Sequence, residues 1–173
     1  MSMPKYMGGL GFRDFEIFNL ALLARQAWRI LEQPESLSAR ILKGVYYPNS
    51  DFLNAELGKH PSQIWRSVIK GRDVLQQGLI RRIGNGYSTS IWDMNWIPRP
   101  QNMRPIVSLI QNPPLMVAEL LDPLNACWDE QRIQQIFLPN DAAAILQIPV
   151  CTCNMDDFWS WRFEKNGLFT VRS

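Results

Sequence analysis

Two adjacent aspartates, Asp156 and Asp157, follow Met155 and are the side chains best suited to metal-dependent chemistry. Paired carboxylates can hold the divalent cations used in phosphoryl transfer, provided that hydrophobic strands flank the turn and a third aspartate joins it. Here Cys151-Thr152-Cys153 precede the pair and Phe158-Trp159 follow it. We therefore predict a polar turn that leads into a hairpin, and no catalytic residue in this segment.

The other reactive side chains are too few for a metal or nucleophilic site. A closed zinc site takes four Cys or His ligands, whereas the chain has three cysteines (Cys127, Cys151 and Cys153) and one histidine, His60. Because the cysteines are odd in number and two are one residue apart, a disulfide framework is disfavoured. We predict free thiols, a surface position for His60, no bound metal, no cofactor and no small-molecule substrate.

The remaining signal is positive charge. Residues 1–112 carry a net charge of +6 and residues 113–173 a net charge of −4, and Asp73 is the one acid between residues 59 and 82. Such a cluster is typical of a surface that binds a polyanion, and equally of a solvated helix face. Interleaved aromatics (Trp65, Tyr87 and Trp92) could stack on bases, although core positions are favoured for the two tryptophans. The candidate nucleic-acid-binding residues are Lys59, Arg66, Lys70, Arg72, Arg81 and Arg82.

Helical spacing dominates the first half of the chain. We predict a first helix over residues 14–32, a second over 36–45 and a third from about 61 to 78. The apolar stripe of the first helix should pack on the third; its members are Phe18, Leu22, Trp28 and Leu31. The inward residues of the third helix should be Ile64, Trp65, Val68, Ile69 and Leu75.

After residue 78 the apolar period becomes that of strands. Residues 79–97 predict a hairpin around Gly84-Asn85-Gly86, because a β-rich run rather than a helix follows these glycines. Alternation over residues 91–96 indicates a strand, with Trp92, Asp93 and Trp96 fixing the hairpin. Residues 158–172 predict a second hairpin, which turns at residues 165–167.

The fold class predicted is mainly α with two small β-hairpins (α+β). We place a helical region with its hairpin at residues 1–97, a Pro-rich linker at 98–115, and a segment of short helices with the second hairpin at 116–173. The short helices should lie near residues 117–121, 130–137 and 141–146, the last capped by Asp141.

No run of about 18 apolar residues is present, and the N-terminal residues MSMPKYMGG lack the pattern of a signal peptide. We therefore expect no membrane contact and an intracellular location, with nucleus and cytoplasm left open.

Four stretches together resemble one family. GGLGFRDFEIFNLALLARQAWRIL at residues 8–31, the stretch at residues 39–79 and RRIGNGYSTSIWDMNWIP at residues 81–98 are similar to the region downstream of the polymerase in plant LINE-type (non-LTR) retroelements. FWSWRFEKNGLFTVRS at residues 158–173 is similar to the opening of the zinc-binding region of that family's reverse transcriptase.

The resemblance implies a segment between reverse transcriptase and ribonuclease H, with a truncated zinc-binding region, that supports binding of RNA or an RNA–DNA hybrid. The polymerase carboxylates and the Cys/His cluster of the family match no residue here, so the resemblance carries no catalytic or metal-binding residue over. The alternatives are a protein-interaction or scaffold segment without nucleic-acid contact, and a decayed retroelement fragment without function. Oligomeric state is open.

Overall fold

The computed structural model describes residues 15–122, 127–150 and 155–172, and the chain divides into two compact units. The first unit comprises residues 1–78 and 163–173, and the second comprises residues 79–162. The described elements are mainly helical, with two small antiparallel two-stranded sheets, which confirms the predicted fold class. In the described part of the chain, no helix has both the length and the apolar character needed to cross a bilayer.

Three helices form most of the first unit. They are α1 (Phe15–Glu32), α2 (Leu37–Tyr46) and α3 (Gln63–Gln76). Ser36 and Ser62 cap the second and third, because each serine hydroxyl accepts a hydrogen bond from an N–H group in the first helical turn, at 3.4 and 3.2 Å. The predicted starts of these helices are confirmed within two residues.

α1 packs on α3 through small side chains. Ala24 and Ala27 are fully buried, and a Cβ atom on Gly71 of α3 would lie 2.2 Å from the carbonyl oxygen of Leu23. The predicted stripe of α1 is therefore partly wrong: Trp28 is buried, whereas Leu22 is 40% exposed. Because the two backbones approach closely at Gly71, the contact face of α1 is centred on its alanines rather than on its larger side chains.

Trp65 lies in an aromatic cluster at the start of α3. Tyr46 and Tyr47 stack on its indole with ring centroids 4.8 and 5.5 Å away, and Phe52 meets it edge-on at 6.4 Å. Trp65 is completely buried, as predicted, and its Nε1 donates to the carbonyl oxygen of Glu56. The inward position predicted for Ile64 is wrong, since that side chain is 70% exposed.

The second unit contains short elements around one apolar core. Its strands are β1 (Leu79–Arg82), β2 (Leu121–Asp122), β3 (Cys127–Trp128) and β4 (Phe158–Trp161). Its helices are a 3₁₀ turn (Val117–Leu120), α4 (Glu130–Ile136) and α5 (Pro139–Leu146). The largest side chains that are almost fully buried in this core are Trp96, Phe137, Ile91, Ile97, Leu120, Ile133, Ile136 and Ile145.

The pairing of the strands differs from the prediction. β1 pairs antiparallel with β4, so that Arg81 faces Trp159 across the sheet, and β2 pairs with β3. The predicted local hairpins at residues 79–97 and 158–172 are therefore wrong, although the second one does turn before Gly167. Residues 91–96 form turns instead of a strand, with the indole of Trp96 donating to the carbonyl oxygen of Ile91 at 2.9 Å.

Asp141 organises the Pro-rich segment. Its carboxylate accepts hydrogen bonds from the Arg99 guanidinium at 2.6 Å and from the Ile106 N–H at 2.9 Å. The predicted capping role of Asp141 is wrong, because α5 begins two residues earlier, at Pro139, and the Asp141 side chain is buried. The segment 98–115 is thus held within the second unit, while the division of the chain into domains at this segment remains a prediction.

Replacing Gly71 tests the close approach of α1 and α3. We expect Gly71→Ala to lower the free energy of unfolding by about 1–3 kcal/mol, because the added methyl group meets backbone atoms of α1. A Cβ atom on Gly44 in α2 would have no neighbour within 4 Å. Gly44→Ala should therefore leave stability unchanged or raise it by up to about 1 kcal/mol through helix propensity. Urea denaturation measures the free energy of unfolding of both variants. Equal changes in the two variants would contradict the close packing of α1 on α3.

Candidate functional site

The carboxylate of Asp157 accepts five hydrogen bonds within the second unit. One oxygen, Oδ1, accepts hydrogen bonds from the N–H groups of Gly84 at 2.7 Å and Gly86 at 2.9 Å. The other, Oδ2, accepts from the N–H and hydroxyl of Ser88, both at 3.1 Å, and from the Thr89 hydroxyl at 2.7 Å. Residues 84–89, here called the glycine loop, therefore surround a buried negative charge that arrives from the start of β4.

These five donors determine what Asp157 can do chemically. An ionised carboxylate has about four lone-pair positions, and all of them are directed to protein donors here. Because a metal ligand must offer a lone pair to the cation, Asp157 is not available as a ligand in this arrangement. Its neighbour Asp156 is exposed and accepts a hydrogen bond from the Asn85 side chain at 3.0 Å.

Glycine is required at both ends of the Gly84-Asn85-Gly86 turn. A Cβ atom on Gly84 would lie 2.1 Å from the carbonyl oxygen of Met155. Gly86 has a φ of +75°, and its Cβ would lie 2.5 Å from the backbone nitrogen of Ala118. Both glycines thus allow the loop to contact neighbouring backbone while its N–H groups point at Asp157.

Arg81 completes the network from the adjacent strand. Its guanidinium donates to the hydroxyls of Ser88 and Thr89, which in turn donate to Asp157. It also lies over the ring of Trp159, with its central carbon 4.7 Å from the ring centroid, a cation–π distance. Burial lowers the pKa of Arg81, and the negative charge of Asp157 acts in the opposite direction.

The pKa of Asp157 reflects the same donors. Burial raises the pKa of this carboxyl group, but the hydrogen bonds from the Thr89 hydroxyl and from three backbone N–H groups lower it by more. The pKa therefore lies below its ordinary value of 3.8. The folded state holds Asp157 as an anion at neutral pH.

The remaining side chains considered for chemistry are dispersed. His60 is exposed, as predicted, and Cys127 is an exposed free thiol. Cys151 and Cys153 lie outside the described residues. Within the described ranges, no group of three or more His, Cys, Asp or Glu side chains could hold a metal ion.

The structure divides the six predicted basic residues into two classes. Lys59, Arg66 and Lys70 of the first unit, and Arg82 at the end of β1, are exposed. Arg72 instead donates to the carbonyl oxygen of Ala55 and forms an ion pair with Asp73 at 3.0 Å. Arg81 belongs to the Asp157 network.

The sequence predicts a turn at the glycine loop but not its bonding partner. Glycines followed by two hydroxyl residues supply N–H and O–H donors, which is a recognisable signal for an anion. The anion itself comes from 68 to 73 residues further along the chain, and no local pattern indicates that distance. The aromatic candidates divide as well: Trp65 is buried, Trp92 is half-buried, and Tyr87 in the glycine loop is exposed.

Two proteins of Arabidopsis thaliana are similar to the chain in sequence. An uncharacterized mitochondrial protein is 49% identical over 90 residues, which cover 52% of the chain and 58% of that protein. A protein provisionally named a ribonuclease H protein is 27% identical over 179 residues, which cover 98% of the chain and 28% of that protein. These relatives are plant proteins. No family model and no solved structure matches the chain.

The similarity to the protein provisionally named a ribonuclease H protein supports a ribonuclease H-like relationship, which the sequence resemblance implied. The LINE type remains a prediction. The chain spans 58% and 28% of the lengths of these two relatives.

Replacing Asp157 tests its structural role. We expect Asp157→Asn to lower the free energy of unfolding by about 2–4 kcal/mol, because the amide presents N–H groups to donors and leaves Arg81 without its nearby anion. The matched control is Asp156→Asn, which alters one exposed hydrogen bond and should cost less than about 1 kcal/mol. Urea denaturation of both variants measures the difference, and equal effects would contradict the assignment.

The lowered pKa of Asp157 predicts a pH dependence with a definite sign. A carboxylate whose folded pKa is depressed contributes stability that is fully present above the unfolded pKa, near 3.8, and is lost as the pH falls through the folded pKa. The difference in unfolding free energy between wild type and Asp157→Asn should therefore be largest above about pH 5 and shrink below about pH 4. A difference that stays constant down to about pH 2 would contradict this cause.

Proposed function

We propose that the chain is a non-catalytic segment of a plant retroelement reverse transcriptase/ribonuclease H-like protein and that it supports binding of RNA or an RNA–DNA hybrid. The similarity to a plant protein named for ribonuclease H supports the relationship. A ribonuclease H-like protein acts on a polyanionic duplex, so a supporting segment needs positive surface rather than a second active site.

The observation that carries the proposal is the set of exposed basic side chains of the first unit. Arg66 and Lys70 are four residues apart on α3 and therefore share a helix face. Neither they nor Lys59 forms an ion pair with any described carboxylate. Asp73, the one acid of the stretch, is paired with Arg72. The charge of this face is thus available to phosphate groups.

The bonding of Asp157 supports the non-catalytic part of the proposal. Its lone pairs are occupied by the glycine loop, so the Met155-Asp156-Asp157 sequence lacks the paired free carboxylates that cation-dependent phosphoryl transfer requires. We assign Asp157 to stabilisation of the second unit.

A protein-interaction role is the second candidate. On α2, the side chains of Leu37, Ile41 and Val45 are 73%, 55% and 65% exposed and recur every four residues. They therefore form one apolar stripe. A chain that binds no nucleic acid but associates with another protein through this stripe would fit the second candidate.

Charge removal on α3 tests the proposed nucleic-acid contact. Filter binding of an RNA–DNA hybrid should show affinity that falls as salt rises, because bound cations are released from the phosphates. Arg66→Gln with Lys70→Gln should lower the affinity at low salt by at least about tenfold and reduce the salt slope by about two.

The matched control is Arg40→Gln with Lys43→Gln, which removes one arginine and one lysine from α2 instead of α3. This pair should leave affinity and salt slope close to those of the wild type. A wild-type affinity that is indifferent to salt would contradict the proposal, and equal losses in the two double variants would contradict its placement on α3.

A further inference from the structure

The two faces of the β1–β4 sheet carry different chemistry. Side chains of facing residues in an antiparallel pair lie on the same side of the sheet, and alternate residues of a strand lie on opposite sides. Arg81 and Trp159 thus share one face, with the Asp157 network. Arg82 and Phe158, which face each other in the register, lie on the opposite face together with Ile80.

A pocket of about 230 Å³ lies beside Arg82 within the second unit. Three arginines line it (Arg82, Arg99 and Arg162), and none of the described lining residues is acidic. Asp141 forms an ion pair with Arg99 at 2.6 Å, and Arg162 donates to the sulfur of Met103 and to the carbonyl oxygen of Pro100, so Arg82 is the lining arginine that an anion can approach directly. Ile80 and Met103 give the pocket an apolar side.

The size and the charge of this arginine pocket restrict its occupant. Pockets for whole drug-sized ligands measure roughly 300–1,000 Å³, so this one suits a smaller group. Arginine forks match the oxygen geometry of phosphate through paired hydrogen bonds. A phosphate group with part of its sugar fits both restrictions.

Phe158 adds a stacking surface next to the pocket. Its side chain is 53% exposed and is the direct cross-strand neighbour of Arg82. An exposed aromatic ring beside a bound phosphate can stack on an unpaired base, and such stacking is tolerant of base identity. Paired bases of a duplex offer no free face to the ring.

We infer that the arginine pocket and Phe158 together bind one nucleotide of an unpaired RNA strand, with the backbone phosphate in the pocket and the base on the ring. The inference rests on the proposed nucleic-acid function and adds to it a preference for unpaired RNA over a duplex. Arg82 is the exposed contact: among the described residues its guanidinium has no hydrogen-bond or ion-pair partner, so it is available to the phosphate.

Binding of a short single-stranded RNA of mixed sequence by the full chain tests the inference. Arg82→Gln should lower affinity at low salt by about tenfold and reduce the salt slope by about one. Phe158→Ala should lower affinity by about tenfold while the salt slope stays unchanged. Arg82→Lys should keep the salt slope and lose part of the affinity, because the charge remains and the fork is lost.

Two control variants lie in the same unit. Arg132→Gln removes a charge from an exposed position of α4, and Leu115→Ala removes an exposed apolar side chain; both should bind like the wild type. Circular dichroism of each variant checks that it is folded. If Arg82→Gln and Phe158→Ala match their controls while the wild type binds RNA, the inference is overturned and the proposed function stands. If the wild type binds neither single-stranded RNA nor hybrid, the proposed function itself fails.

Discussion

The carboxylate of Asp157 is the constraint around which the second unit is arranged. It is buried, ionised and fully hydrogen-bonded, and each of its partners comes from the glycine loop, 68 to 73 residues earlier in the sequence. An ionised group inside a protein is stable only with such compensation. Since the donors lie within six consecutive residues, the carboxylate sets the path of the loop. The loop in turn bonds to residues 117 and 118 through the Thr89 and Gly86 carbonyl oxygens.

The two faces of the β1–β4 sheet therefore differ: one contacts the Asp157 network and the other carries exposed side chains. The face with Arg81 and Trp159 is occupied by the Asp157 network, so its positive charge stabilises the fold. The opposite face carries Arg82 and Phe158 toward solvent. Two consecutive arginines of the same strand therefore lie in different environments, one buried and one exposed, although a count of charges along the sequence does not distinguish them. In the first unit, Arg72 forms an ion pair with Asp73, whereas Arg66 is exposed and forms no ion pair with a described carboxylate.

The sequence predicts what local chemistry determines. Serine caps determine where α2 and α3 start. The short helices near residues 117, 130 and 141 can be predicted from their apolar spacing and their flanking residues. Helical spacing predicts that Leu22 lies in the core, but this side chain is exposed. The pattern of α1 alone cannot show that Gly71 brings the backbones of α1 and α3 together at the alanines. The pairing of β1 with β4 escapes prediction because the two strands are far apart in the sequence, and the glycine turn carries an equally good signal for a local hairpin. Asp157 stands out as a carboxylate in the sequence, but its role depends on donors that only the fold brings to it.

Carbon-13 NMR titration of the Asp157 side-chain carboxyl, with and without magnesium, tests the central claim most directly. We expect a pKa below 3.8 and a carboxyl resonance that magnesium does not move, because the loop already occupies the lone pairs. A pKa at or above the ordinary value, or a saturable shift of this resonance on addition of magnesium, would contradict the structural role assigned to Asp157.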